Sequence, residues 1–410
     1  MSSDKPTSPR LSDRVQSIPP SGIRRFFDLA NEMKGEVISL SIGEPDFVTP
    51  WTVREAGMYS LESGRTHYTA NQGMKELRQA VSDYAGRRFS LHYDPLKEIM
   101  ITVGGSEAID DAIRALVNPG EEVLVPEPAY VAYNACVKLA GACPRSIPLS
   151  AKYDFKLQPQ QLEAAITAKT RLLIMAYPNN PTGAVMDRQD LEALLPVLQA
   201  HPDITVISDE LYAELTYAPN TFTSPAVIPE LKSRCVVIGG FSKAFAMTGW
   251  RLGYAMAPAD VIAAMNKIHQ YVIMSAPTLA QYAALEALRH SEELVRDMRE
   301  EYDGRRRVLL RRLHDMGLPC FIPGGAFYAF PDISSTGLSS EAFCEQLLFD
   351  QKVAVVPGTA FGNCAEGYIR ISYAASLENI ETAMQRMADF VARHRTLINK
   401  EQVKKAHAGI

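Results

Sequence analysis

Residues 239–253 read Gly239-Gly240-Phe241-Ser242-Lys243-Ala244-Phe245-Ala246-Met247-Thr248-Gly249-Trp250-Arg251-Leu252-Gly253. They follow the aliphatic run 235–238, which reads as a buried strand. A lysine just past a strand end, among glycines, a hydroxyl and an arginine, suits an amine that forms a Schiff base with an aldehyde cofactor. Ser242 and Arg251 are able to bind a phosphate, Arg251 through a planar two-point fork. Taken alone, a lysine is usually a solvated surface group. The surrounding string is what argues for chemistry at Lys243.

The same punctuation recurs upstream. Residues 98–103 run into Gly104-Gly105-Ser106 and then a helical pattern over 107–117. Residues 122–125 run into Pro126-Glu127-Pro128-Ala129-Tyr130, and 172–176 into Tyr177-Pro178-Asn179-Asn180-Pro181-Thr182-Gly183. Residues 204–208 run into Asp209-Glu210-Leu211-Tyr212. Strands alternating with helical stretches predict an α/β domain around a mostly parallel sheet. Ligands in such sheets bind at the carboxyl ends of strands, where these polar motifs fall.

A long helical pattern follows over 279–316, and its charged part, 293–312, reads as a solvated face. Strand-like stretches at 325–330, 353–356 and 368–372 and a helix over 377–395 predict a smaller α+β domain. The expected division is a flexible arm at 1–17, a small domain at 18–47 plus 290–398, and a large domain at 48–289. The polar ends, 1–9 and 400–410, are expected to be loose or frayed.

The chain has 410 residues, enough for two packed domains. Its net charge of −5 gives no basic footprint for nucleic acid. No apolar run reaches the roughly 20 residues that span a bilayer, and no apolar leader opens the chain, so a cytoplasmic enzyme is expected. Six scattered cysteines, with no close pair, suit buried free thiols better than a disulfide framework or a metal site.

Each remaining motif carries a chemical reading beside a plainer one. A pyridine ring is an electron sink only while its nitrogen is protonated, and Asp209 stands at a strand end where a carboxylate would hold that proton; a helix N-cap is the plainer role. The Gly104-Gly105-Ser106-Glu107 turn opens a helix whose N–H groups favour an anion, with Glu107 contributing backbone rather than carboxylate. Tyr130 offers a face to stack on the ring, although a core tyrosine is nearly as common; Tyr133 reads as packing. Arg370 lies inside an apolar strand pattern and needs an anion, either a ligand or an internal salt-bridge partner. Tyr68 reads locally as an ordinary loop tyrosine.

Together these motifs resemble the pyridoxal 5'-phosphate (PLP) aminotransferases of classes I and II, the aspartate aminotransferase fold, over about residues 18–393. The likeness is nearest to bacterial and archaeal aromatic, aspartate and acetyl-diaminopimelate aminotransferases. It implies a fold type I PLP-dependent transferase running a ping-pong transamination. Lys243 would hold the cofactor and move the proton, and Asp209 would pair with the ring nitrogen. Tyr212 and Asn180 would bond the ring's 3-oxygen. The phosphate would meet Gly104, Gly105, Ser106, Glu107, Ser242 and Arg251, with Tyr130 stacked on the ring. Tyr68 would reach the phosphate of a neighbouring subunit in a homodimer with shared sites. Arg370, Gly43 and Asn180 would take the substrate carboxylate. Tyr177 departs from the Asn or Ser of many relatives, with no change of reaction type expected.

Some dicarboxylate-specific relatives place a basic residue where this chain has Ser106, or an arginine in the stretch ahead of Ser275. Here that stretch reads Tyr271-Val272-Ile273-Met274. An apolar, adaptable lining is therefore expected, favouring aromatic or broad specificity with 2-oxoglutarate as acceptor. Residues 19–24 resemble a mobile flap, in which Arg24 is either a basic contact or plain surface. Aspartate and N-acetyl-diaminopimelate stay open as donors. So does a PLP-dependent C–S β-lyase or cyclising synthase on the same fold. A PLP-binding regulator is disfavoured, because the short stretch before Ile18 leaves no room for a DNA-binding module.

Overall fold

The computed structural model describes residues 11–20, 22–33 and 37–408, without the side chains of Arg24, Phe27, Asn31 and 396–408. Seven strands build its main sheet: β1 (Ile99–Thr102), β2 (Glu122–Glu127), β3 (Cys143–Pro148), β4 (Thr170–Ala176), β5 (Thr205–Asp209), β6 (Cys235–Gly240) and β7 (Gly253–Met256). Their order is β1-β7-β6-β5-β4-β2-β3. All neighbours pair in parallel except β7, which runs against β1 and β6. Alternate strand residues enter two different cores. Ile99, Ile101, Leu173, Met175 and Val237 face one; Met100, Leu172, Ile174, Val236 and Ile238 face the other. Burial on both faces is why these strands read as unbroken aliphatic runs. The sequence reading named neither β3 nor β7: the first is a half-exposed edge with little apolar signal, and the second follows the lysine motif without a break.

Five helices matter for the site: α1 (Gly104–Leu116), α2 (Ala259–Val272), α3 (Thr278–His290), α4 (Glu292–Asp315) and α5 (Leu377–Ala408). The expected single helix over 279–316 is two helices, broken at Ser291, which is fully buried. The charged face expected on α4 is not all solvated. Arg305 and Arg306 turn inward; Arg305 grips Asp46 at 2.8 Å, and Arg306 donates to the Pro323 carbonyl at 2.6 Å. The polar C-terminal stretch expected to fray instead continues α5 to Ala408. Within the expected arm, Asp13–Gln16 form a helical turn capped by Ser12, while residues 1–10 lie outside the description.

Beyond the main sheet, β8 (Tyr328–Ala329), β9 (Val356–Pro357) and β10 (Ile369–Ser372) form an antiparallel sheet in the order β9-β10-β8. Ile38–Ser39 pairs in parallel with Val353–Ala354. A third core gathers Phe26 and Leu40 with Leu309, Phe327, Phe343, Ile371 and Phe390. The cysteines are free, but not uniformly buried: Cys235 and Cys344 are buried, whereas Cys143 and Cys364 are exposed. Among the described residues, no helix is long and apolar enough to cross a membrane.

Candidate active site

The carboxyl ends of β4, β5 and β6 lie side by side, with Ala176 opposite Asp209 and Asp209 opposite Ile238. Tyr328 and Arg370, from β8 and β10, stand across from them. A cavity of about 320 Å³ lies between. It is lined by Gly43, Gly105, Ser106, Tyr130, Asn180, Asp209, Tyr212, Ser242, Lys243, Arg251 and Arg370. Gly104, Glu107 and Tyr68 lie outside the lining. Gly104 backs onto the Arg251 guanidinium, Glu107 turns its carboxylate away, and Tyr68 is 81% exposed.

Lys243 donates to the Gly43 carbonyl at 2.6 Å, close to the rings of Tyr212 and Phe327. Burial draws its amine down to about 8; the Arg370 and Arg251 charges add to this, and Glu44 and Asp209 oppose it. Asp209 is nearly inaccessible. Burial pushes its carboxyl up, against hydrogen bonds from Tyr133 and the Leu211 N–H and the nearby charge of Lys243.

The cavity wall at the start of α1 depends on missing side chains. Gly104 has a φ of +74°, and a Cβ there would lie 2.6 Å from the Arg251 guanidinium. A Cβ on Gly253 would lie 2.7 Å from the backbone of Gly104 and Gly105. The strand after the lysine motif therefore packs directly against the turn that opens α1. Arg251 itself is held in the left-handed region and donates to the Thr248 carbonyl at 3.0 Å.

Arg370 is fully buried. It donates to Asn180 Oδ1 at 3.0 Å and to the Ser41 carbonyl at 2.5 Å, while its Nε has no partner. Burial lowers its pKa, against Tyr328, Tyr212 and Tyr130. Tyr177 faces away from the cavity and ties down a loop, donating to the Phe155 carbonyl and accepting from the Leu157 N–H, each at 3.2 Å.

Tyr133, Tyr328 and Ile109 are among the lining residues to which the sequence reading gave no site role. Tyr133, taken there as packing, donates to Asp209 Oδ2 at 2.6 Å. Its place one turn after Tyr130 was the available signal. Tyr328 shares a hydrogen bond of 2.7 Å with Tyr212, across 116 residues of chain, and had no local motif. Ile109, on α1, adds an apolar wall. Tyr133→Phe is expected to lower kcat about 10- to 100-fold, the effect of losing one hydrogen bond of about 1.5–3 kcal/mol to a charged group. Its acid limb should shift to higher pH, because burial then acts on Asp209 with less opposition. A pH–rate profile identical to wild type would refute that role.

The model of the family described as "Aminotransferase class I and II" matches residues 35–387. The chain belongs to that family. It is 54% identical to the "Putative aminotransferase YugH" of Bacillus subtilis (strain 168), over 94% of this chain and 99% of that protein. It is 45% identical to an aspartate aminotransferase of Pyrococcus abyssi, over 92% and 97%. A solved aromatic aminotransferase from Pyrococcus horikoshii OT3 superposes with a TM-score of 0.86 at 43% identity, over 90% of this chain and 99% of that one. The chain is therefore a PLP-dependent aminotransferase with the aspartate aminotransferase fold.

The residues present fit that cofactor. Among the described residues no fixed cation is bonded to the buried Asp209 carboxylate, and a protonated ring nitrogen would supply one. Ser242, Arg251 and the Gly104–Gly105 turn leave a cradle that a single Cβ would obstruct.

Proposed function

We propose that this aminotransferase moves an amino group between an aromatic, or a broad range of, L-amino acids and a 2-oxo acid. The observation carrying the donor preference is the lining. Ile23, Ile42 and Ile109 provide apolar wall, and the lining cations are Lys243, Arg251 and Arg370, each with a role below. A second carboxylate on the donor finds no further cation among the described lining residues, whereas an aromatic side chain finds apolar surface. The resemblance to the family is what supports 2-oxoglutarate as acceptor. Arg24 of the proposed flap has its side chain outside the described residues; its neighbour Ile23 lies in the wall.

Bound PLP supplies an electron sink that stabilises negative charge at the substrate's α-carbon. Lys243 would hold it covalently and, once displaced by substrate, carry the proton between the α-carbon and the cofactor. A partly neutral, buried amine suits both tasks. Asp209 would keep the ring nitrogen protonated, oriented by Tyr133. Tyr212 and Asn180 would bond the ring's 3-oxygen and Tyr130 would stack on the ring. Ser106, Ser242, Arg251 and the amides of Gly104, Gly105 and Glu107 would hold the phosphate. Arg370, with Gly43 and Asn180 beside it, would clamp the substrate α-carboxylate.

The same reading assigns a large PLP-binding domain to 48–289 and a small domain to 18–47 plus 290–398, supported by the separate core around Phe327 and Phe390. It makes the active unit a homodimer in which the exposed Tyr68 serves the partner's phosphate.

Single-turnover spectra with a panel of amino acids test the donor preference. Tyrosine and phenylalanine are expected to convert the cofactor to its aminated form at least as fast as aspartate. Conversion by aspartate alone would refute it. Release of pyruvate and ammonia without amine transfer would identify a β-lyase instead.

A further inference from the structure

Behind the cavity lies a buried cluster of charged side chains, none of which has a part in the site so far. Glu107 in the first turn of α1, Asp111 one turn later and His269 in the last turn of α2 bring their ligating atoms within 4.8 Å of one another. His269 is fully buried and Asp111 nearly so. One Glu107 oxygen accepts the backbone N–H of Val103, and the other meets His269 Nδ1 at 2.6 Å. With both Glu107 oxygens engaged, the cluster is a hydrogen-bonded Glu107–His269 pair with the Asp111 carboxylate beside it, rather than an open cage for an ion.

Its position is what matters. Val103 leads directly into Gly104, Gly105 and Ser106, and the last two line the cavity. Glu107 therefore fixes the entry of the helix whose amides face the anion site. A carboxylate there also opposes a phosphate dianion bound at the same helix end, with Asp111 one turn behind. A fixed cation behind both would remove that conflict. The groups facing His269 are Glu107 and Asp111 from α1 and the backbone of Asn71; β1, also packed on α2, carries no titratable side chain. Burial draws the imidazole pKa down, but the Glu107 hydrogen bond and the charges of Glu107 and Asp111 hold it above its ordinary value.

We infer that His269, as an imidazolium, is a positioning residue for the cofactor phosphate: through Glu107 it anchors the Val103–Ser106 turn and cancels that turn's negative charge. The inference rests on the PLP site proposed above. The His269 carbonyl also accepts the N–H groups of Ile273 and Met274, and the Met274 carbonyl accepts Asn71 Nδ2 at 2.6 Å. The Glu107–His269 pair thus ties the turn to the loop that carries Tyr68.

The test uses the full-length protein stripped of cofactor, titrated with PLP and with pyridoxal, which lacks the phosphate. The readout is the ratio of the two dissociation constants, a phosphate selectivity that loss of packing alone would leave unchanged. His269→Gln is expected to cut this ratio about tenfold or more while leaving pyridoxal affinity within about twofold. Glu107→Gln/His269→Gln removes both charges and keeps an amide pair, so it should bring the ratio back to within about threefold of wild type. Glu107→Gln alone should hold or raise the ratio. Equal weakening of both ligands by His269→Gln, a double variant no better than the single, or a tenfold fall in Glu107→Gln would each overturn the inference alone. A wild-type protein that does not prefer PLP to pyridoxal would overturn the cofactor site as well.

Discussion

Lys243→Ala is expected to lower turnover by about 10⁴-fold or more and to abolish the absorbance band of the covalently held cofactor. In the function proposed for it, the amine would both hold the cofactor and carry the proton, so one truncation would remove two functions. The surroundings explain why a lysine works here. Its amine lies 5.7 and 5.8 Å from the ring centres of Tyr212 and Phe327, donates to the Gly43 carbonyl, and lines the cavity. Burial there, with Arg370 and Arg251 adding their charges, brings the amine to about 8 instead of the ordinary value of about 10.4. The depressed value sets a sign that can be checked. In cofactor-free protein the neutral, nucleophilic amine should be dominant above pH 8, not above pH 10. Reductive trapping of an aldehyde probe at Lys243 should therefore rise with a midpoint near pH 8 and level off. Turnover within tenfold of wild type in Lys243→Ala would refute the assignment.

The fold was readable where chemistry and periodicity coincide. The aliphatic runs before Gly104, Tyr177, Asp209 and Gly239 are strands because their residues meet a core on each face, and that burial leaves a local signature. The motifs after them are legible because a strand end must expose polar groups to a ligand. Residues acting across long loops leave no such trace. Tyr328 touches Tyr212 only because β8 is brought across from another sheet, and nothing within ten residues of it announces this. Tyr133 was misread for a different reason. A tyrosine with its ring in the core and its hydroxyl on a buried carboxylate has the same sequence signature as one that merely packs. The break at Ser291 was hidden because helix propensity and charge pattern continue through it; packing of α3 ends there, and the chain turns. Arg305 and Arg306 show the converse, charges that a helical face would place in water but that Asp46 and the Pro323 carbonyl draw inward.

Arg370→Met is expected to raise KM for the amino acid and the 2-oxo acid alike, on the order of 10²–10⁴-fold, from the loss of two charge-assisted hydrogen bonds of about 1.5–3 kcal/mol each. Both substrates share the α-carboxylate, so both half-reactions should suffer together, whereas a change in the Ile23 or Ile109 wall should affect them unequally. A second effect follows from what surrounds the guanidinium. Its partners are the Asn180 amide, the Ser41 carbonyl and the rings of Tyr328 and Phe361, at 4.5 and 4.9 Å from its centre, and none of them carries a charge. Its Nε has no partner at all. A buried cation with only neutral partners costs stability that a bound carboxylate would recover. Substrate-free Arg370→Met should therefore melt at the wild-type temperature or above it, while losing the thermal shift that a dicarboxylate or aromatic substrate analogue gives the wild type. A variant that melts several degrees lower and keeps its KM would show the arginine to be a structural ion, and the carboxylate clamp would have to be sought elsewhere in the cavity.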